Sequence, residues 1–479
     1  MSAQNTRDEF SCEYRGVDLI DSSLDTNPLC AHGPTLLFER FFKDKPSQKY
    51  YACSACRDRK ECPFFQLYGE KLTNAKKFMQ EETKKKLLKR KIIKKLCEGD
   101  VWCFSCDAGF QYVLLRQHKD HQTMVLSANH LMSPTTFIYP KEEKKSHAQY
   151  FFSEETCSVF LKTIKRMSFK NVLCVGAPRK TKKKRCQWEE LNHGTLLQKP
   201  CEITFLATYV LLHEVLLSQK VNSLLLDIDK RFSYFYDTNS FLHYNMFNGF
   251  FFNNDIGNKK LETFLSQSLE DTLIVIDPPF GALVSLLIKI LQRLWNVCNK
   301  ELPTMIIFPY FLENQILEKI PSLIMMDYKV CYSNHPHFNN SKNRGSPIRI
   351  FTNIAVDKVA LPTENYRFCK ICNRYVYKEN KHCKQCNKCT SKDGRSYVHC
   401  TICKICVKPD RIHCMTCSRC ESINHKCQIQ VDFSCHCCGK IGHKRKDCPN
   451  LEIKTMMVEK KRKSLFKGGN RKKLCKAEM

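Results

Sequence analysis

Asp277-Pro278-Pro279-Phe280 closes the apolar run Thr272-Leu273-Ile274-Val275-Ile276. Two successive prolines remove two backbone donors and fix φ, so they stop a strand and leave its last carboxylate and carbonyls facing outward. Such an end accepts hydrogen bonds and donates none. An exocyclic amine such as adenine N6 carries two protons, which the Asp277 carboxylate and the Pro278 carbonyl can accept while Phe280 stacks on the base. Asp277, Pro278, Pro279 and Phe280 are therefore the candidate catalytic residues, and a strand must position them.

The second chemistry-bearing pattern is cysteine with histidine. The chain has 31 cysteines and 16 histidines, many as Cys-x-x-Cys pairs with histidines between them. This spacing fits tetrahedral zinc better than disulfides. Residues Met1 to Asp25 are polar and acidic with no apolar export segment, so a reducing compartment is expected. In the N-terminal region Cys30-x-His32, Cys53 or Cys56, and Cys62 frame a small aromatic-rich β unit, and spacing alone does not choose between Cys53 and Cys56. Cys103-x-x-Cys106 precedes His118 and His121 in Cys2His2 order, with His130 as the alternative last ligand because the His-x-x-His gap is tight. From 369 onward the density rises: Cys369 and Cys372, then His382, Cys383, Cys386 and Cys389, then His399, Cys400, Cys403 and Cys406, then His413, Cys414, Cys417 and Cys420, closing with His425 and Cys427. These sixteen ligands suffice for at most four zinc ions, and metal must supply most of the folding energy of so polar a segment. Cys435, Cys438, His443 and Cys448 have the spacing of a CCHC zinc knuckle, a binder of single-stranded nucleic acid.

Between these blocks, residues 126–357 carry few cysteines and alternate buried β-like runs with helical patterns, which predicts an α/β, Rossmann-like domain. Asn171 to Arg179 reads as a first strand running into a glycine turn, Ser223 to Asp229 as a second strand ending in carboxylates, Thr272 to Asp277 as the fourth and Thr304 to Pro309 as the fifth. In such a sheet ligands gather at the carboxyl ends of the strands near the switch point, where Gly176, Asp227 or Asp229, and Asp277 would converge. Lys84 to Leu96 repeats apolar pairs at helical spacing and predicts a basic amphipathic helix.

The net charge of +30 favours a polyanionic partner. No apolar stretch reaches the length of a membrane span, and the closest, Ile203 to Leu217, is interrupted by His213 and Glu214. The basic clusters at 460–463 and 471–473 are expected to be a nuclear or nucleolar address or a phosphate-contacting arm, with the cytoplasm as a further compartment.

Several stretches carry resemblances to known families. Cys30, His32, Cys53 and Cys62-Pro63-Phe64-Phe65 resemble a GRF-type zinc finger, which implies Cys53 as the third ligand. The opening of the 369–427 block resembles the cysteine-rich region of DHHC palmitoyltransferases, an activity the lack of spanning helices removes. The whole order, together with His243-Tyr-Asn-Met-Phe-Asn248, Ile348-Arg-Ile-Phe-Thr-Asn353 and Cys389-Thr-Ser-Lys-Asp-Gly-Arg395, resembles the large-subunit ribosomal RNA adenine-N6 methyltransferase family. That resemblance implies a class I S-adenosylmethionine-dependent methyltransferase domain flanked by zinc modules, with S-adenosylmethionine and several zinc ions as cofactors and ribosomal RNA as partner. It also implies that Gln149, Tyr150, Phe151, Gly176, Ala177, Pro178, Arg179, Asp227, Asp229, Asn245, Met246 and Phe247, with Asp277, surround the cofactor.

The expected organisation is a tail to residue 29, the GRF-type finger at 30–68, the basic helix and Cys2His2 finger at 69–125, the methyltransferase domain at 126–357, the multi-zinc block at 362–430, the knuckle at 431–449 and a basic tail at 450–479. One departure from the family stands at 180–211, where a lysine-rich insertion separates the first strand from Leu212-His213-Glu214. It leaves open an alternative, a zinc-rich RNA-binding scaffold with an inactive methyltransferase domain. DNA adenine methylation shares the Asp-Pro-Pro-Phe element.

Overall fold

The computed structural model describes residues 14–42, 46–56, 59–88, 93–138, 152–176, 212–332, 346–425 and 427. Its centre is an eight-stranded sheet. The strands are β1 (Asn171–Val175), β2 (Asn222–Asp227), β3 (Phe241–Asn245), β4 (Phe250–Phe251), β5 (Thr272–Ile276), β6 (Thr304–Pro309), β7 (Ile324–Met325) and β8 (Ile348–Thr352), in spatial order β4-β3-β2-β1-β5-β6-β8-β7. The β1, β2, β3, β5 and β6 strands run parallel, whereas β8 enters antiparallel between β6 and β7. The strand order reverses beside β1, whose two neighbours are β2 and β5.

The parallel strands read as continuous apolar runs because helices cover both faces of the sheet. Every residue of β1, β5, β6 and β8 is buried. On one face the helix Glu154–Arg166 (α1) buries Val159, Phe160 and Ile164, with Ser153 capping its first turn and acids and bases at its matching ends. On the other, the helix Val284–Asn296 (α2) buries Leu286, Leu287, Ile290, Leu291, Leu294 and Trp295, a single helical stripe. These two cores are continuous with the flanking modules. Leu96, Trp102 and Leu126 of the second finger join the α1 side, as does Tyr366 of the zinc block. Leu36 of the first finger joins the α2 side.

The first finger is built on a four-stranded antiparallel sheet, Tyr14–Leu19, Leu36–Phe42, Gln48–Ala52 and Phe65–Leu67. The basic helix spans Asn74–Leu88, and the expected helix over 84–96 is corrected: residues 93–96 are not helical. Tertiary contact overrides periodicity there, because buried Leu96 donates its N–H to Tyr234 O at 2.8 Å and is held outside any helix.

Candidate active site and zinc centres

At the strand-order reversal β1 and β5 end side by side, and the segment after β5 reaches a cleft through Pro279. Asp277 donates its N–H to Val175 O at 2.9 Å, extending the ladder by one step. Gly176 has φ +127°, and a Cβ there would lie 2.5 Å from Asp277 O. Glycine is required on both counts, so the glycine after β1 lets the residue that follows β5 approach. Pro278 is buried and Pro279 lines the cleft, and no donor follows Asp277 until Phe280. Burial pushes the Asp277 carboxyl up to about 8, although the residue is not wholly enclosed. Phe280 packs against Tyr332 with ring centres 5.7 Å apart, and Phe152 also stacks on Tyr332, at 5.6 Å. Phe152 and Tyr332 were not legible as site residues, since one follows the Gln149-Tyr150-Phe151 motif and the other stands alone in the chain.

Asp227, Asn245, Met246, Phe247 and Pro279 line one narrow cleft. Of the two carboxylates ending the second strand, only Asp227 faces it. The Asp229 carboxylate caps the turn at Lys230–Tyr234 and pairs with Arg231, which also reaches Asp107 of the second finger at 3.1 Å. Asp229 therefore holds that finger to the domain and is spent on that ion pair. Asn245 lines the cleft, yet its amide donates outward to His32 O at 2.9 Å and Ser54 Oγ at 2.8 Å of the first finger. Asn248 makes the parallel contacts, to His32 O and Pro34 O. Sequence reasoning missed Asn248 and Ser54; the signal was two asparagines three residues apart at the end of a buried strand, where a buried amide must find partners. Gln149, Tyr150, Phe151, Ala177, Pro178, Arg179 and the 180–211 insertion lie outside the described residues.

The thiols and imidazoles gather into sets of four. Zinc with sulfur at about 2.3 Å and nitrogen at about 2.0–2.1 Å holds tetrahedral ligand atoms about 3.4–3.8 Å apart. In the first finger Cys30, His32, Cys53 and Cys62 converge, with Cys53 Sγ 3.4 Å from His32 Nδ1. Cys56 instead donates its amide to Cys53 Sγ at 3.3 Å. In the second, Cys103, Cys106, His118 and His121 converge at 3.2–3.6 Å between sulfur and nitrogen. His130 is committed elsewhere, to a capping box with Ser127.

In the 369–427 block the ligands interleave. Cys369, Cys372, His382 and Cys389 form one set; Cys383, Cys386, His399 and Cys406 the next; Cys400, Cys403, His413 and Cys420 the third. Cys414, Cys417, His425 and Cys427 close the fourth, at 3.2–3.6 Å. Each His-Cys-x-x-Cys-x-x-Cys repeat is a hairpin, as in His382 paired with Cys389, whose outer residues complete the preceding centre while its inner pair opens the next. The Cys417 N–H donated to Cys414 Sγ helps pull that thiol down to about 6, toward the thiolate zinc requires. The block is docked by buried Asp327, which accepts from Tyr377 N and Asn380 Nδ2, and by buried Arg349, which donates to Lys392 O. Cys435, Cys438, His443 and Cys448 lie outside the described residues.

A Rossmann-like sheet with an antiparallel strand near one edge, a glycine that lets strand ends meet at the switch point, and an acceptor-only Asp-Pro-Pro at that point defines an S-adenosylmethionine-dependent methyltransferase with appended zinc modules. Residues 143–355 match the family model described as a probable N6-adenine methyltransferase. The chain is 40% identical to the human rRNA N(6)-adenosine-methyltransferase ZCCHC4 over 91% of its own length and 86% of that protein's. It is 39% identical to the Xenopus laevis protein of the same name, over 93% of this chain and 91% of the relative, and 40% identical to the mouse protein, over 88% and 83%. The chain belongs to this rRNA N(6)-adenosine-methyltransferase family.

Proposed function

We propose that this chain transfers a methyl group from S-adenosylmethionine to N6 of an adenosine in ribosomal RNA, of the large subunit, with the base turned out of its RNA into the switch-point cleft. The observation that carries the reading is the strand end poor in backbone donors, Asp277 and the prolines after it, at the place where β1 and β5 meet. Bound S-adenosylmethionine would supply an electrophilic methyl carbon on a sulfonium. Asp227 and the backbone at Gly176 are the groups that suit its polar parts, and Met246 and Phe247 offer apolar wall. Asp227 is a strand-end carboxylate able to accept from a ribose diol.

The N6 lone pair is delocalised into the purine, so the site must hold the amine rather than merely deprotonate it. Ionised Asp277 and the Pro278 carbonyl would accept hydrogen bonds from its two N–H groups, and the one proton that nitrogen sheds on methylation would pass to the Asp277 carboxylate. Phe280, braced by Tyr332, would stack on the base, a contact worth about 1–3 kcal/mol. The zinc modules would supply RNA affinity and site choice, on a target adenosine that is single-stranded within structured RNA. From the basic clusters at 460–463 and 471–473, which lie outside the described residues, we also propose a nuclear and nucleolar location. The catalytic assignment is tested by Asp277→Ala: methyl transfer to ribosomal RNA is expected to fall at least about a hundredfold, with the zinc content kept. Full methylation by that variant would sink it.

A further inference from the structure

The first zinc finger touches the wall of the cleft itself. Ile228, which lines the cleft, packs against the Cys30, Cys53 and Cys62 cluster. Asn245, also in the cleft wall, spends both amide protons on the finger, on His32 O and Ser54 Oγ, while its Oδ1 accepts from Phe247 N at 3.2 Å. One buried amide thus has a zinc-ligand residue at one end and the cleft wall at the other. Asn248 repeats the arrangement just behind the wall: its amide donates to His32 O at 3.1 Å and Pro34 O at 2.7 Å, and its Oδ1 accepts from Phe250 N at 3.1 Å. Between these bonds Gly33, at φ +91°, lies so close to Phe250 that a Cβ would come within 2.5 Å of the ring. Both asparagines are almost wholly buried, so every one of these bonds is costly to leave unmade.

Both cleft residues and the Asn248 clasp point at the carbonyls and the cysteine cluster of one loop, Cys30 to Pro34, whose shape depends on its metal. We propose that the N-terminal zinc centre is the outer support of the cofactor cleft, with Asn248 as a positioning residue, so that zinc held by Cys30, His32, Cys53 and Cys62 and ligand held in the cleft stabilise one another. The proposal rests on the cleft being the cofactor site. Coupling of this kind is reciprocal: if the metal tightens the cleft, an occupied cleft tightens the metal by the same factor.

The test uses the full-length zinc-loaded protein and S-adenosylhomocysteine as the probe. By calorimetry, Asn248→Ala is expected to weaken binding of the probe by about fivefold or more, with the metal-binding sets still loaded. Asn248→Asp keeps the bond from Phe250, loses the two donated to the finger and sets an oxygen against the His32 and Pro34 carbonyls, so it is expected to weaken binding at least as much. In the reverse direction, the probe is expected to slow release of one zinc to a chromogenic chelator, a protection that Cys30→Ser abolishes and Asn248→Ala reduces. Unchanged affinity in both Asn248 variants, rescue by Asp, or release indifferent to the probe each overturns the proposal. Where an Asn248 variant fails to fold, Ser54→Ala removes a single bond to Asn245 and must shift affinity and release in the same direction by a smaller factor; no shift overturns it. A wild-type protein that does not bind the probe at all refutes the assignment of the cleft instead.

Discussion

At the scale of the residue, the proposed site turns on a carboxylate placed where water cannot fully serve it. The Asp277 carboxyl is raised to about 8 from its ordinary value near 3.8, with burial as the cause, so the folded chain holds that proton more tightly than the unfolded chain. Its effect on stability follows: the folded state is favoured at low pH, and the advantage is lost as pH rises through the interval from about 4 to about 8. Asp277→Asn is therefore expected to match the wild type in denaturant melts near pH 4 and to exceed it by more than about 1 kcal/mol at pH 9, while methyl transfer is lost. Equal stability at pH 9 would mean the carboxyl is not buried at cost. For the active wild type, kcat/KM is expected to rise with pH through the ionisation of Asp277 in the free enzyme. Gly176→Ala is expected to cost more than about 1–3 kcal/mol in the same melts and to abolish cofactor binding, because a Cβ 2.5 Å from Asp277 O forces the two strand ends apart. Legibility at this scale was uneven. The Asp-Pro-Pro-Phe element announced itself because proline chemistry is local. Asp227 and Asp229 looked alike in the chain, two residues apart, and only the turn that pairs Asp229 with Arg231 separates them.

At the scale of the element, the four parallel strands predicted from apolar runs form because burial on both faces leaves a pattern that sequence displays openly. The helix over 84–96 was misplaced because a pair of leucines at helical spacing does not say whether a neighbour will claim the last one, as the Tyr234 carbonyl claims Leu96. The zinc repeats show the same limit. Ligand types and spacings in 369–427 were plain, but the exchange of ligands between successive hairpins exists only in three dimensions. The interleaving carries a consequence of its own. His399 belongs to the centre opened by Cys383 and Cys386 and sits in the hairpin that opens the following one. His399→Ala is expected to lose one zinc outright and to weaken retention of the next, read as metal content after chelator dialysis. Loss confined to one ion, with the following centre holding as tightly as before, would show that the hairpins load independently.

At the scale of the whole molecule, the modules are braced against the methyltransferase domain at separate places. The first finger is fixed by Asn245 and Asn248, the second by Arg231 and by Trp102 wedged among Phe137, Tyr234 and Phe235, and the zinc block by Asp327 and Arg349. None of this bracing was readable from composition, since it uses single buried residues from distant parts of the chain. The charge of +30 was readable, and it sets the polyanion as partner. Among the described residues no helix is long and apolar enough to cross a membrane. Deleting residues 431–449, the knuckle, is expected to weaken binding of ribosomal RNA about tenfold or more and to leave S-adenosylhomocysteine affinity unchanged; an equal loss of both would contradict a modular division between reader and catalyst. The most direct test of the central claim is to incubate the full-length protein with labelled S-adenosylmethionine and total ribosomal RNA from cells lacking it, then digest the RNA to nucleosides. Label in N6-methyladenosine, absent with Asp277→Ala, is the predicted result; RNA that is bound but carries no labelled N6-methyladenosine, before and after removal of the 180–211 insertion, would contradict it.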